Sequence, residues 1–357
     1  MSKINKDTKE IFKTKLLQWH KHINKREFPW VNEKDPYKIW ISEIMLQQTR
    51  AEQALPFYLR FIEKYPNVSV LAKTPLEEVL LYWEGLGYYS RCRNLHSSAQ
   101  FIYENYQGVF PKTHAEILQL KGVGDYTAAA IASFAYKLPF AVVDTNVYRV
   151  LARYFALNLD IQKNANKKYF LELANAIIPR DEPDVFNQAI MDFGATVCTP
   201  KIPFCEECIM KDTCKAFENG NVTEYPVNSK RTKIKKRYFN YFLLIYEDKI
   251  YLEQRTQSDI WKGLFQFYLI EEKSKNAFEK KVNYLPKEWK VENIVAAGAY
   301  KQRLSHQEIF SDFYIVYLNE IPEKLKKSSW QALKDLELYA FPKTITQFIK
   351  NTLPVFE

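Results

Sequence analysis

The sequence predicts an α+β chain of more than one domain, an all-α part followed by an α/β part, and three observations carry that reading. Its 357 residues are long for a single domain and comfortable for two. From about residue 8 to 217 the apolar positions read as helix after helix, whereas from about 238 the texture turns aromatic and β-branched. Near the end of the helical part, four cysteines crowd into one short segment. That crowding suits a metal site better than the disulfide framework of a secreted protein.

The helical part carries its own start signals. DPYKIWISEIMLQQ opens with Asp35 as N-cap and Pro36 at the first helical position. A later helix opens at Thr113, with Glu116 three residues on, the pattern of a capping box. In the second part, FNYFLLIYEDKIYLEQR and EIFSDFYIVYL have strand composition with turn residues between them. SSWQALKDL and TITQFIKNTL read as helices. The expected division is a helical domain over 1–225 that includes the cysteine loop 198–214, a basic linker over 226–237, and an α/β domain over 238–357. Within it, SKRTKIKKR (229–237) holds six basic residues and reads equally as a solvated linker or as a strap across nucleic-acid phosphates.

The net charge of +9 favours a polyanionic partner and says nothing of fold. No apolar run reaches membrane-spanning length, and the start MSKINKDTKE lacks the apolar core of a signal peptide. A cytoplasmic protein with no membrane partner is expected.

Cys198, Cys205, Cys208 and Cys214 have the spacing C-x6-C-x2-C-x5-C. Four thiolates hold either zinc or an iron–sulfur cluster. Zinc ribbons usually offer two separated C-x2-C pairs, and here there is one. Cys92 stands apart and reads as core. In LKGVGDYTAAAIASF, Gly122 and Gly124 flank Val123 between two helical stretches. Such a turn lets backbone N–H groups at a helix start approach a phosphate, with Lys121 adding charge. On its own it reads first as a plain link between helices. Asp144, twenty positions after Gly124, ends an apolar stretch and begins a helix, a natural N-cap. Glu43 lies among Ile41, Ile44, Met45 and Leu46. It either points outward to water or faces an enclosed pocket, where desolvation would keep it protonated as a general acid.

Leu120-Lys121-Gly122-Val123-Gly124 matches the helix-hairpin-helix motif. The uneven cysteine spacing, shaped by Pro200 and Pro203, resembles the cluster loop of the endonuclease III superfamily. With E-x-M-L-Q-Q-T at Glu43 and D-x-N-V-x-R at Asp144, the chain resembles the adenine DNA glycosylase family over nearly its whole length. The resemblance implies a [4Fe–4S] cluster on the four cysteines and a monofunctional enzyme that removes adenine opposite 8-oxoguanine. It implies that Glu43 protonates the adenine ring and helps direct water. Asp144, supported by Asn146, stabilises the positive sugar. Breaking an N-glycosidic bond leaves positive charge on the sugar and negative charge on the base, so one protonated and one ionised carboxyl divide the work. The nucleoside must first leave the duplex, at a cost of roughly a few kcal/mol.

Further positions follow from the same resemblance. Tyr126 stands where bifunctional members carry a catalytic Lys, so Schiff-base chemistry is not expected, and the ring would line the pocket near the sugar. Gln48, Thr49 and Tyr88 would touch DNA, while Arg26, Trp30 and Leu46 would form the base pocket. The cluster is expected to order a loop whose Lys201 and Lys211 meet phosphates. The second domain resembles a Nudix-like fold without the metal-binding Nudix box after residue 237, hence a reader and not a second enzyme. Ser305 and His306 occupy the family's aromatic-Ser-His loop, with Leu304 replacing the aromatic residue. The implied partner is double-stranded DNA holding A:8-oxoguanine or A:G mispairs, bound by a monomer at the bacterial nucleoid. Two readings compete: an endonuclease III-like glycosylase/lyase acting on oxidised pyrimidines, and a non-catalytic iron–sulfur protein that binds DNA.

Overall fold

The computed structural model describes residues 4–229, 234–279 and 285–353. Residues 230–233 of the basic segment lie outside that description. The chain divides into two compact units, Met1–Lys73 with Asn94–Lys230 and Thr74–Arg93 with Arg231–Glu357.

In chain order the helices are α1 (Lys6–His22), α2 (Pro36–Leu46), α3 (Ala51–Lys64), α4 (Val68–Lys73), α5 (Leu76–Trp83), α6 (Tyr89–Tyr106), α7 (His114–Leu118), α8 (Asp125–Tyr136), α9 (Thr145–Tyr154), α10 (Asn164–Asn175), α11 (Pro183–Thr196) and α12 (Lys215–Glu218). Local chemistry sets several of their starts. Asp35 caps α2 by accepting from Tyr37 N, with Pro36 inside the first turn. Thr113 and Glu116 form the reciprocal capping box of α7. One core packs α1 through Phe12, Leu16 and Trp19 against Val150 and Leu151 of α9 and Phe186, Ile190 and Phe193 of α11. Helix α2 is apolar nearly all round: Tyr37 and every residue from Ile39 to Met45 are buried. A helix of that kind has no solvent face to offer a carboxylate.

The second unit is built on β1 (Lys235–Tyr246), β2 (Lys249–Tyr251), β3 (Glu253–Gln254), β4 (Phe265–Gln266), β5 (Tyr268–Glu272), β6 (Val291–Arg303), β7 (Gln307–Leu318) and β8 (Trp330–Ala332), with α13 (Lys275–Glu279) and α14 (Lys343–Thr352). The main sheet runs β6-β7-β1-β2-β8, with β5 also on β1. The β1 and β7 strands pair in parallel over eleven positions from Lys235↔Gln307 to Ile245↔Tyr317. Residues 239–244 of β1 are all buried, as expected of a strand covered on both faces. One face stacks Phe313 on Phe348 of α14 at 4.4 Å. The other gathers Phe242, Leu244, Trp289, Val316 and Trp330.

One expectation is corrected here. SSWQALKDL does not form a helix: Trp330–Ala332 pairs with β2 as β8, flanked by 3-10 turns at Lys327–Ser329 and Leu333–Leu338. Pairing with β2 and burial of Trp330 against Tyr251 override the local helical pattern. By contacts, residues 74–93 group with the second unit. They do so because Thr346 donates to Glu84, Arg93 donates to the Lys262 carbonyl, and Leu80 packs against Gly263. No helix among the described residues is long and apolar enough to cross a membrane.

Candidate active site

Glu43 sits on α2 with only 6% of its surface exposed. Burial pushes its carboxyl up to about 7; a hydrogen bond with Tyr126 offsets part of that rise, and nearby Asp144 adds to it. Near neutral pH this side chain is therefore divided between acid and carboxylate, the state suited to giving a proton and then taking one. Tyr126, on the first turn of α8, is held well above the usual phenol range by the same burial and by the two carboxyls. Its hydroxyl also donates to Met191 Sδ at 3.6 Å.

Asp144 caps α9: one carboxylate oxygen accepts from Val147 N at 2.8 Å and the other from Asn146 Nδ2 at 2.8 Å. Burial raises its pKa, while those two hydrogen bonds, the Asn146 N–H and the Arg149 charge pull it back. Asn146 is fixed in turn by Arg149 Nη2, which donates to Asn146 Oδ1 at 2.7 Å and to the Gly194 carbonyl at 2.6 Å. Gly194 is glycine for a steric reason. A Cβ there would stand 2.7 Å from Asn146 Cβ and 3.1 Å from its carbonyl oxygen, so α9 and α11 could not approach as they do.

Arg26, Trp30 and Leu46 are each partly buried. Arg26 pairs with Asp192 at 2.9 Å and lies over the Phe28 ring, which stacks on Trp30 at 5.0 Å. Gln48 follows α2 as an exposed residue with φ 57, and Thr49 N bonds back to the Leu46 carbonyl at 3.2 Å. Lys121, Gly122 and Gly124 are exposed ahead of α8, while Val123 is buried. Gly122 holds φ +83, and a Cβ would strike Asn94 at 2.8 Å. Gly124 meets neither limit: its φ is −100 and the space around it is open.

The four cysteines of the loop line one small cavity with Arg153, Met210 and Phe204. No three metal-ligating side chains among the described residues stand at single-ion distances. Burial and then mutual proximity push the Cys208 and Cys214 thiols up, so a positive centre would have to offset the charge of the thiolates. The loop is held from α9. Arg149 Nε donates to the Cys198 carbonyl at 2.7 Å; Arg153 donates to the Thr199 carbonyl at 2.7 Å, to the Pro200 carbonyl at 2.9 Å and to Cys198 Sγ at 3.4 Å. Lys201 is exposed, and Lys211 pairs with Glu206 at 2.6 Å.

Within the second unit, Tyr88 is exposed, holds φ 51, and meets Ser305 hydroxyl to hydroxyl. Leu304, Ser305 and His306 form the turn between β6 and β7, closed by Leu304 N donating to the Gln307 carbonyl at 2.7 Å. Gln48 and Tyr88 are both non-glycine residues in left-handed backbone, a strain that tends to collect where a protein engages its ligand.

Residues 41–176 match the model of the HhH-GPD superfamily of base excision DNA repair proteins, and 240–351 match a NUDIX domain. An adenine DNA glycosylase of Buchnera aphidicola (subsp. Baizongia pistaciae) is 34% identical, over 95% of this chain and 96% of its own length. The chain belongs to the adenine DNA glycosylase family. The mouse member of that family is 42% identical over 58% of this chain and 42% of its own length. Among solved structures, a thermostable thymine-DNA glycosylase is 34% identical, with a TM-score of 0.56 over 60% of this chain and 98% of that one. An endonuclease III–DNA complex, 23% identical at a TM-score of 0.52 over 59% of this chain and 97% of that one, shares the fold. The protein is thus a base-excision DNA glycosylase built from a helical domain and a Nudix-like domain.

Four residues of this family member escaped sequence reasoning: Arg149, Arg153, Met191 and Asp192. Arg149 closes the D-x-N-V-x-R segment and Arg153 lies one turn later, so the spacing was visible. Their acceptors were not, being main-chain carbonyls more than forty residues away. In NQAIMDFGATVC, Gly194 inside a helical pattern was the available sign of a close approach.

Proposed function

We propose that the enzyme removes adenine mispaired with 8-oxoguanine or guanine in double-stranded DNA, without cutting the strand. The observation that carries this reading is a buried Glu43 poised near neutrality, with Tyr126 and an Asn146-supported Asp144 in the same neighbourhood. Lys121 and the exposed N-terminus of α8 receive backbone phosphate. Gln48, Thr49 and Tyr88 engage the duplex as the adenosine swings out, and Arg26, Trp30 and Leu46 enclose the base. Glu43 gives its proton to the adenine ring, so the N-glycosidic bond breaks toward a neutral leaving group. The ionised Asp144 faces the oxocarbenium-like sugar. Water then bonds to the sugar carbon, and the Glu43 carboxylate takes its proton. Residue 126 is Tyr, which offers no amine for a Schiff base.

Cys198, Cys205, Cys208 and Cys214 would hold a [4Fe–4S] cluster. Four thiolates lining one small cavity are the soft donor set that such a cluster takes. Bound there, it would supply the charge that holds the loop in order, with Lys201 presented to phosphate. Iron rather than zinc by metal analysis, with iron–sulfur absorbance, is the expected finding. Ser305 and His306 read the base opposite the adenine. The enzyme acts as a monomer on the chromosome in a bacterial cytoplasm. The deciding experiment incubates a duplex with A opposite 8-oxoguanine beside one containing thymine glycol. Adenine release without strand breaks before alkali is expected; preference for thymine glycol with immediate breaks would overturn the assignment.

A further inference from the structure

Asp192 lies on α11 with its side chain 1% exposed, and three donors converge on it. Arg26 Nη1 reaches one oxygen at 2.9 Å; Asn24 Nδ2 and Gln188 Nε2 each reach the other at 3.0 Å. The same Asn24 takes Arg26 N on its own Oδ1 at 3.2 Å, so residues 24 and 26 are tied to the carboxylate and to each other. From Arg26 the restraint passes along a row of rings. The guanidinium is 5.1 Å above Phe28, Phe28 stacks on Trp30 at 5.0 Å and 3°, and Trp30 meets Tyr58 edge-on at 5.2 Å. The residue before Asp192 is Met191, whose sulfur accepts from the Tyr126 hydroxyl. One turn of α11 therefore touches both Tyr126 and the segment that carries Arg26 and Trp30. Such a segment has no regular secondary structure of its own between Asn24 and Phe28, and a buried carboxylate is what gives it a fixed address.

We propose that Asp192 is a positioning residue for the base pocket, holding Arg26, and through it the Phe28–Trp30 stack, in register with Tyr126. The proposal rests on the adenine-excision reading above. Its predicted signature is a fall in the rate of base release at saturating enzyme with little change in duplex affinity, because the wall is displaced and not the DNA-binding surface.

The test compares the wild type with Asp192→Asn, Arg26→Gln and the double variant. It measures single-turnover adenine release, binding to a duplex carrying a non-cleavable adenosine analogue, and thermal unfolding. Each single change is expected to slow release roughly 10–100-fold, the scale of a small misplacement in an active site. Binding should stay within about threefold, and the double variant should match the slower single within about twofold, as residues acting as one unit do. Additive losses in the double variant would overturn the proposal, as would lower melting with unchanged release per folded molecule. If Asp192→Asn does not fold, Asn24→Ala takes its place, since it removes one donor from Asp192 and the tie to Arg26 N without touching the base wall; unchanged release there overturns the proposal. A wild type that releases no adenine would overturn the underlying reading, whereas an active wild type with additive variants overturns the role of Asp192 alone.

Discussion

In the helical unit, Glu43 and Asp144 share a neighbourhood in which the guanidinium acting on Asp144, that of Arg149, is spent on Asn146 and on main-chain carbonyls. In the second unit, Asp259 and Glu271 share theirs with Arg237, which bonds both at 2.8 and 2.6 Å, and Arg255 reaches Asp259 at 2.9 Å. The outcomes are opposite. Burial raises Glu43 and Asp144, and no direct ion pair brings them back. Burial would raise Asp259 too, but the Arg237 hydrogen bonds bring it below the usual carboxylate range, and Glu271 foremost raises Arg237. The contrast shows what separates a reactive carboxyl from a structural one. Desolvation is common to both, and the partner decides.

The largest expected effect tests the reactive half of that contrast. Glu43→Gln removes the proton donor while preserving shape, and should slow base release by about 10²–10⁴-fold, the usual worth of a general acid. Duplex binding should persist, as read by gel shift. Near wild-type turnover would remove Glu43 from the chemistry.

The structural half is tested by Arg237→Met. Arg237 is buried but its carboxylate partners are 30% and 39% exposed, so solvent screens part of the charge left behind and a cost of about 1–3 kcal/mol is expected. Unfolding of the second unit should shift accordingly, with the release rate per folded molecule retained. A neutral result would mean that solvent reaches Asp259 and Glu271 well enough to replace the guanidinium.

A third prediction turns on sign. Glu43 is raised in the folded protein from 4.5 to about 7, so the native state holds a proton that the unfolded chain has already lost between those values. Stability therefore falls as pH rises through that window. At pH 8 Glu43→Gln should be more stable than the wild type by about 3 kcal/mol, an upper bound at full burial. Thermal melts of the two proteins across that range check it, and base release by the wild type should decline above pH 7.

These contrasts also mark what could be read without a structure. The roles of Glu43, Gly122, Gly124, Tyr126 and Asp144 were legible only through the resemblance to the glycosylase family, since each residue alone has a plainer structural reading. The orientation of Glu43 was legible only in part: the run from Ile39 to Met45 shows no polar stripe, which argues for a buried helix, yet a lone carboxylate ordinarily points to water. Asp192 and Arg149 gave no such sign, since their partners come from distant turns that only tertiary packing assembles. SSWQALKDL was misread because its local pattern is outweighed by pairing to β2.

The smallest expected effect lies at the exposed turn between β6 and β7. Ser305 meets Tyr88 hydroxyl to hydroxyl, and neither is buried. Ser305→Ala deletes one hydrogen-bonding group at the surface, worth about 0.5–1.5 kcal/mol or roughly two- to tenfold. That loss should appear in the ratio of release rates for adenine opposite 8-oxoguanine and opposite guanine, with the slower substrate nearly unchanged. A buried acid sets how fast the bond can break, whereas a surface hydroxyl can only bias which duplexes come to be broken. If Ser305→Ala lowered both rates alike, the turn would be contributing general affinity and the choice of opposite base would have to be made by other residues, His306 first among them.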